Sequence, residues 1–387
     1  AFAGVKYFLV PNIKNFSWMT VVSAMGQMFY SLSIAMGILI TFGSYMKSDL
    51  SIEESTENPD MVMYLVRKTL SWTLVVFLAT NLTFFLASSF LDPRSNYQGR
   101  RPPLTPEQIT SLLEPYNLNP ETPILERWWT WLTNILLHWD WGKSPIGESV
   151  NEQISYRIWV SAQLLLLATI LSIILGIAVG VYTASRQYKL GDRIWQALSI
   201  IALNTHIVVV SIVVVAIALK INDLAGTRIF FVTGASSPGV TGFGPKLIDY
   251  LQHLALPTIS LLIISYASYH ITQRTLLLDN LGADYVRTAR AKGLTRTEAI
   301  RKHALRTSII PVATSIAFSV PGIFTGAVMT ERIFAWQGMG TYFIETINRN
   351  DINGAVAVAA FGAFMTAVGA IISDLVVVAL DPRVRVS

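Results

Sequence analysis

The chain has 387 residues, of which 52% are hydrophobic and 14% charged. Soluble domains carry roughly 25% charged residues, so this composition excludes an ordinary soluble enzyme and a disordered chain. The net charge of +5 fits the basic cytoplasmic loops of a membrane protein better than a nucleic-acid surface, and the absence of cysteine excludes disulfides and thiolate metal sites.

Seven stretches are apolar and lack charge except for Asp374 in the last: Trp18–Tyr45, Thr69–Leu91, Ile158–Ala184, Trp195–Leu219, Leu254–Ile271, Thr307–Thr330 and Gly354–Leu380. Most reach the ~20 residues that a helix needs to cross the hydrocarbon, and Leu254–Ile271 is marginal. None shows the polar stripe of a helix on a soluble core, and a backbone inside lipid must satisfy its own hydrogen bonds, so helices are expected. The fold class read from this pattern is all-α, a polytopic transmembrane helical bundle in the cell membrane, in contact with lipid.

In chain order, residues 1–49 hold one extra N-terminal hydrophobic helix, and residues 50–60 form a polar, acidic linker. Ala1 reads as a fragment or processed end without a signal-peptide pattern, and Met61 or Met63 could open the main body of the chain. Residues 61–157 comprise the first helix of that body and a small extracytoplasmic insertion rich in Pro and Trp. Two readings of Trp128, Trp129 and Trp131 stand side by side: an interfacial aromatic belt, or the core of the insertion. Residues 158–387 form the rest of the body. Arg67 and Lys68, Arg186 with Lys189 and Arg193, the basic cluster Arg274–Arg306, and Arg383 with Arg385 all fall on one side if the spans alternate, and that side is the cytoplasm.

Asn204, Thr205 and His206 interrupt an otherwise apolar helix. They could face a translocation path or bond between helices. Gly176-x-x-x-Gly180 and Gly322-x-x-x-Gly326 permit close helix approach, and Pro257 and Pro321 are expected to kink or end their helices. Asp374 sits near the cytoplasmic end of the last span, where a structural hydrogen bond is favoured over a functional role. No His or acid spacing suggests a metal, and no nucleophile triad stands out. A phosphate loop is lacking as well: Gly142-Lys143-Ser144 ends like one, but Leu137 stands where its first Gly must be. Neither a catalytic site nor a cofactor is expected.

The most informative segment is DYVRTARAKGLTRTEAIRKHALRTSIIP, Asp284–Pro311. The acid at its start and Lys292 at its end suit a helix over Asp284–Lys292. Gly293 comes next, where a C′ glycine can turn left-handed. Thr295-Arg-Thr-Glu298 fits a capping box that opens a second helix, with Ala299, Ile300, Ala304 and Leu305 on its apolar side. A rigid helix–Gly–helix element projecting from the membrane is expected.

This segment resembles the "EAA" loop by which permease subunits of ATP-binding-cassette importers engage their ATPases, and DYVRTARAKG is similar to the dipeptide, oligopeptide and nickel branch. ERIFAWQGMG at Glu331–Gly340, LDPRVRV at Leu380–Val386 and PILERWWTWLTNILLHWDWGKS at Pro123–Ser144 resemble other parts of that branch. Gln337 and Arg306 each stand where Pro is usual. The resemblance implies about six spans over residues 61–387 and a coupling loop at residues 284–306. Its candidate contacts are Asp284, Tyr285, Arg287, Ala289, Ala291, Lys292, Gly293, Glu298, His303 and Arg306. The implied partners are a second permease subunit, two ATPase subunits and an extracytoplasmic substrate-binding protein, with no nucleic acid. The implied function is import of peptides or a related small substrate, nickel being the alternative within the branch.

GQMFYSLSIAMGILITFGSY at Gly26–Tyr45 resembles instead the broken sixth helix of neurotransmitter:sodium symporters. By that resemblance Tyr30, Ser31, Ser33 and Met36 would line a substrate or ion site. A sodium-coupled amino-acid symporter fragment is the rival reading, although the partner helices of such a site are missing.

Overall fold

The computed structural model describes residues 61–99 and 101–380. The symporter-like segment with Tyr30, Ser31, Ser33 and Met36, the linker, and most of LDPRVRV lie outside the described residues. Among the described residues every regular element is helical. They are α1 (Met61–Phe90), α2 (Pro106–Leu113), α3 (Ile124–His138), α4 (Val150–Ser185), α5 (Leu190–Asn204), α6 (Ile207–Ala225) and α7 (Phe243–Leu281), then α8 (Asp284–Ala291), α9 (Arg296–Ala299), α10 (Leu305–Thr325), α11 (Val328–Ile333), α12 (Met339–Asn348) and α13 (Ile352–Leu380).

Among the described residues six helical segments are long and apolar enough to cross a membrane: Val66–Phe90, Val150–Ser185, Ile207–Ala225, Phe243–Leu281, Arg296–Ile333 and Ile352–Val376. Their exposed faces carry large apolar side chains such as Leu74, Leu82, Ile174 and Ile212. Such faces are stable only against lipid or a partner helix.

Three expectations are corrected. The stretch Trp195–Leu219 is two helices, α5 and α6, because Thr205 and His206 are extended, with ψ of 129° and 142°. Hydropathy does not register this break, and local side chains bond part of the backbone around it. Asn204 Nδ2 donates to the Ile200 carbonyl (2.7 Å), Thr205 Oγ1 donates to that of Ile201 (2.7 Å), and His206 Nδ1 accepts from the Val208 amide (3.3 Å). The marginal stretch Leu254–Ile271 lies inside the 39-residue α7, which passes through Pro257 without ending, as α10 passes through Pro321. Gly322 contacts no neighbouring helix: a Cβ there would meet nothing within 4 Å, and Gly326 is a helix cap.

The other glycine pair packs helices. A Cβ on Gly176 would lie 2.5 Å from Tyr269 Cβ, and one on Gly180 would lie 2.8 Å from Gln273 Cβ. The backbones of α4 and α7 can approach so closely only because both positions lack a side chain. This contact fixes α4 and α7, the two long helices against which Asp284–Arg306 packs. Gln273 Nε2 then donates to Ser308 Oγ of α10 (2.9 Å). Lys68 and Asp374 pair, joining α1 to α13 near the inner surface.

The insertion after α1 folds around Leu113, Leu118, Trp131, Leu132 and Ile135, packed on Phe84 of α1 and on Ile352 and Val356 of α13. Thr105 opens α2 with a reciprocal capping box to Gln108. The tryptophans divide between the two readings: Trp131 is core, Trp128 is half-buried, and Trp129 is exposed.

Candidate functional site

The segment Asp284–Arg306 forms the expected hairpin. α8 starts with Asp284 and ends at Ala291, one residue short of the expectation, with Lys292 as its cap. Gly293 has φ of 95°, in the left-handed region. Its amide donates to Arg290 O (3.0 Å) and the Leu294 amide donates to Ala289 O (3.3 Å), which together make a Schellman motif. Thr295 and Glu298 form the capping box: Glu298 N donates to Thr295 Oγ1 (3.3 Å), and Thr295 N donates to Glu298 Oε2 (2.9 Å).

The hairpin differs from a freely projecting one in two ways. Its second helix is continuous with the membrane span, because α9 passes through a π-turn at Ile300–Ala304 directly into α10. Its inner face also has its own core. Val286, Ala289, Ala299, Ile300 and Ala304 pack with Ala184 of α4 and Leu277 of α7. Three of the hairpin's five buried residues are alanines, so the backbones sit close and little side-chain freedom remains.

Of the candidate contact residues, Asp284, Tyr285, Arg287, Ala291, Lys292, Gly293, Glu298, His303 and Arg306 are exposed. Ala289 is corrected to a packing residue, since it lies 6% exposed in that core. Arg290, Arg296, Arg301 and Lys302 are placed on the same two helices and the π-turn. The result is a largely basic skin over an alanine-rich core. The surface pair Arg287–Asp284 (3.7 Å) is solvated and adds little stability.

Sequence reasoning missed two supports of this hairpin. Asp192, fully buried at the start of α5, accepts both Nε (2.8 Å) and Nη2 (2.9 Å) of Arg274 on α7. It also accepts from Gln196 Nε2 (2.8 Å) and the Tyr188 amide (2.9 Å). These bonds, led by Arg274, pull its pKa down to about 2. The signal was one acid among the basic residues Arg186, Lys189 and Arg193. The second support is His270, also fully buried, between Thr183 Oγ1 (3.0 Å from Nε2) and Ser199 Oγ (2.6 Å from Nδ1). The Thr183 hydroxyl already donates to Val179 O (2.8 Å), which assigns the ring proton to Nε2 and an acceptor role to Nδ1.

On the opposite side, ERIFAWQGMG closes a knot. Glu331, fully buried, accepts from Ser161 Oγ (2.6 Å), Ala327 N (3.2 Å) and Thr341 N (2.8 Å), while Ser161 Oγ accepts from Met339 N (2.8 Å). A Cβ on Gly338 would lie 2.4 Å from both Glu331 Oε1 and Ser161 Oγ.

Asn204 and His206 are exposed and Thr205 is half-buried, at the joint of α5 and α6. Ala202 packs with Tyr266 and Ala267 of α7, and Val210 packs with Leu254 and Leu256. The joint therefore lies level with the middle of the apolar part of α7.

A family model described as the binding-protein-dependent transport system inner membrane component matches residues 176–386, the part that carries the hairpin and the knot. The chain belongs to this family. It is a non-enzymatic transport subunit, multi-pass in the cell membrane, within a membrane-embedded complex of ATP-binding-cassette components.

Similar proteins include the oligopeptide transport system permease protein OppB of Mycobacterium bovis, 38% identical over 84% of this chain and 100% of its own length. The oligopeptide transport system permease protein AppB of Bacillus subtilis is 30% identical over 84% of this chain and 100% of its own. The dipeptide transport system permease protein DppB of Escherichia coli is 29% identical over 84% and 99%. A sodium:neurotransmitter symporter family model matches residues 1–80, past the linker and into α1. The two likenesses seen in the sequence thus both recur, the permease over most of the chain and the symporter at its front.

Proposed function

We propose that this permease subunit carries peptides handed over by an extracytoplasmic binding protein. In this reading it pairs with a second permease subunit and is driven by two ATPase subunits that grip the hairpin at Asp284–Arg306. The observation that carries the reading is the hairpin's two-sided build. Its exposed skin of Asp284, Tyr285, Arg287, Lys292, Glu298, His303 and Arg306 offers a partner charge and shape, while its buried face is welded to α4 and α7. Because α9 runs into α10 without a loop, a push on the skin moves membrane helices rather than being absorbed. The two states needed for alternating access are then biased by ATPase closure, which interacts differently with each.

Asn204, Thr205 and His206 belong to the translocation path in this reading. Unwound backbone and exposed polar groups at membrane depth are tolerated only where they are buried in protein or line a water-filled cavity. The peptide assignment is supported by the names of the oligopeptide and dipeptide relatives.

The test replaces Gly293 by Pro in the full chain with its partner subunits. Proline fixes φ near −65°, which the observed 95° forbids, so the turn between α8 and α9 is lost. ATP hydrolysis is expected to continue while uptake of a labelled peptide falls at least about tenfold, a loss of ~1.4 kcal/mol of coupling. Charge reversal at Arg287 should act in the same direction. Normal uptake by a Gly293→Pro variant that inserts and assembles would overturn the reading.

A further inference from the structure

We infer that α3 is a membrane-surface helix whose outward face lies in the lipid of the outer leaflet. That face consists of Leu125, Trp129, Leu136 and Leu137, with Trp139 at the helix cap, and these side chains are 65%, 61%, 68%, 74% and 69% exposed. From Trp128 to Leu137 the sequence WWTWLTNILL has no charge, and the neighbouring Arg127 is buried. Water would therefore meet a bare apolar face on one side of a 15-residue helix.

The level of α3 is fixed by its contacts with α1. Trp128 Nε1 donates to Asn81 Oδ1 (2.6 Å), its ring stacks on Phe85 (5.9 Å between centroids), and Trp131 packs on Phe84 (4.7 Å). Residues 81–85 lie well inside the span Val66–Phe90. At 1.5 Å per residue, Asn81 is ~13 Å inward of Phe90, and a span of 25 residues exceeds the ~30 Å hydrocarbon by ~7 Å, so Asn81 lies within the hydrocarbon. Leu78, Leu82 and Leu86 of α1, within one turn of Asn81 or Phe85 in sequence, are exposed as well.

The composition fits an interfacial position. Tryptophan and leucine dominate this face, with one exposed acid, Glu126, in the helix's first turn, and such a face suits the boundary of headgroups and acyl chains, where the indole N–H stays wet and the ring stays dry. The opposite face carries Trp131, Leu132 and Ile135 into the insertion's core, so α3 joins that core to the lipid. Phospholipid is the occupant because Trp128 and Trp131 seat α3 against the membrane-spanning α1, whose Leu78, Leu82 and Leu86 are exposed beside that contact in sequence.

The chain lacks cysteine, so single substitutions can be labelled cleanly. Leu125→Cys and Leu136→Cys would carry a nitrobenzoxadiazole label, with the exposed Glu121→Cys as the aqueous control. The full chain, with its partner subunits, would be reconstituted in phosphatidylcholine vesicles containing lipid with a doxyl group near the headgroup. Both α3 labels are expected to be quenched by the doxyl lipid at least about twofold more than the control, and to resist iodide. Strong iodide quenching with no doxyl quenching would overturn the inference. So would doxyl quenching that appears only when the second permease subunit or the binding protein is left out, because the face would then be a protein interface. A label-free check compares intrinsic tryptophan quenching by brominated lipid in the parent chain and in Trp129→Phe: a smaller quenched fraction in the variant supports the lipid position, and an equal fraction contradicts it. Neither measurement depends on ATP hydrolysis, so the outcome is separate from that of the coupling test.

Discussion

The inner hairpin and the outer knot handle charge in opposite ways. The hairpin at Asp284–Arg306 keeps its ionic groups outside and fills its inside with alanine. The knot at Glu331–Gly340 draws a carboxylate to full burial and surrounds it with glycine and backbone amides. A charged surface over a small apolar core can be gripped by a partner without disturbing the fold. A buried, fully bonded carboxylate ties segments together and resists change, because every lost partner leaves a desolvated group unpaired.

The sharpest way to break this comparison is Glu331→Ala. It removes the acceptor for Ser161 Oγ and for the amides of Ala327 and Thr341 at once. At ~1–3 kcal/mol for each stranded buried donor, a loss of several kcal/mol is expected. Thermal unfolding in detergent should show it as a large drop in Tm, whereas charge changes on the hairpin skin should leave Tm nearly unchanged.

A second, smaller effect concerns pH on the outer side. Asp351 caps α13, accepting from the Gly354 amide (3.0 Å), and its side chain is almost fully buried. Burial is the main cause that raises its pKa to about 6. A carboxyl raised in the folded state binds its proton there more readily than in the unfolded chain. Its contribution is therefore most favourable below the unfolded pKa of ~4 and is lost as pH rises through about 6. Asp351→Asn should stabilise the permease at pH 7.5, by on the order of 2–3 kcal/mol, and do little at pH 4. Asp192 has the opposite sign: its depressed pKa, about 2, gives a stabilising contribution that is full above the unfolded value of ~4 and is lost as pH falls through about 2. Tm measured across pH 4–8 for the parent and the Asp351→Asn variant checks the Asp351 effect.

The smallest effect is expected for Gly293→Ala. The backbone φ of 95° penalises any Cβ by ~1–2 kcal/mol, but a Cβ there would meet nothing within 4 Å. The variant should fold, assemble and transport with a modest loss, in contrast to Gly293→Pro. A large loss of Tm in Gly293→Ala would mean that the hairpin is as tightly tied as the knot.

Much of the inner hairpin was legible in the residues themselves. Asp284, Gly293 and the Thr295–Glu298 box act within one or two turns of their own position, and local chemistry is what a sequence states directly. Ala289 was misassigned because a small apolar residue amid charges gives no sign of which way it faces. The break at Thr205–His206 escaped hydropathy because its polar residues are few and their side chains bond nearby backbone, at Ile200 O, Ile201 O and Val208 N. The Asp192–Arg274 clamp was invisible for another reason: its members lie 82 residues apart.

The chain by itself determined the helical class, most of the spans, and the start and stop signals of the hairpin. Those come from transfer of apolar side chains into lipid and from caps that bond within a few residues. Only the tertiary structure decided that the hairpin is welded to α4 and α7, that Glu331 is sealed among glycines, and that α3 turns a bare apolar face outward. Each of these depends on which distant helices meet, and the close approach that lets them meet, as at Gly176 and Gly180, is a property of packed backbones rather than of any single segment.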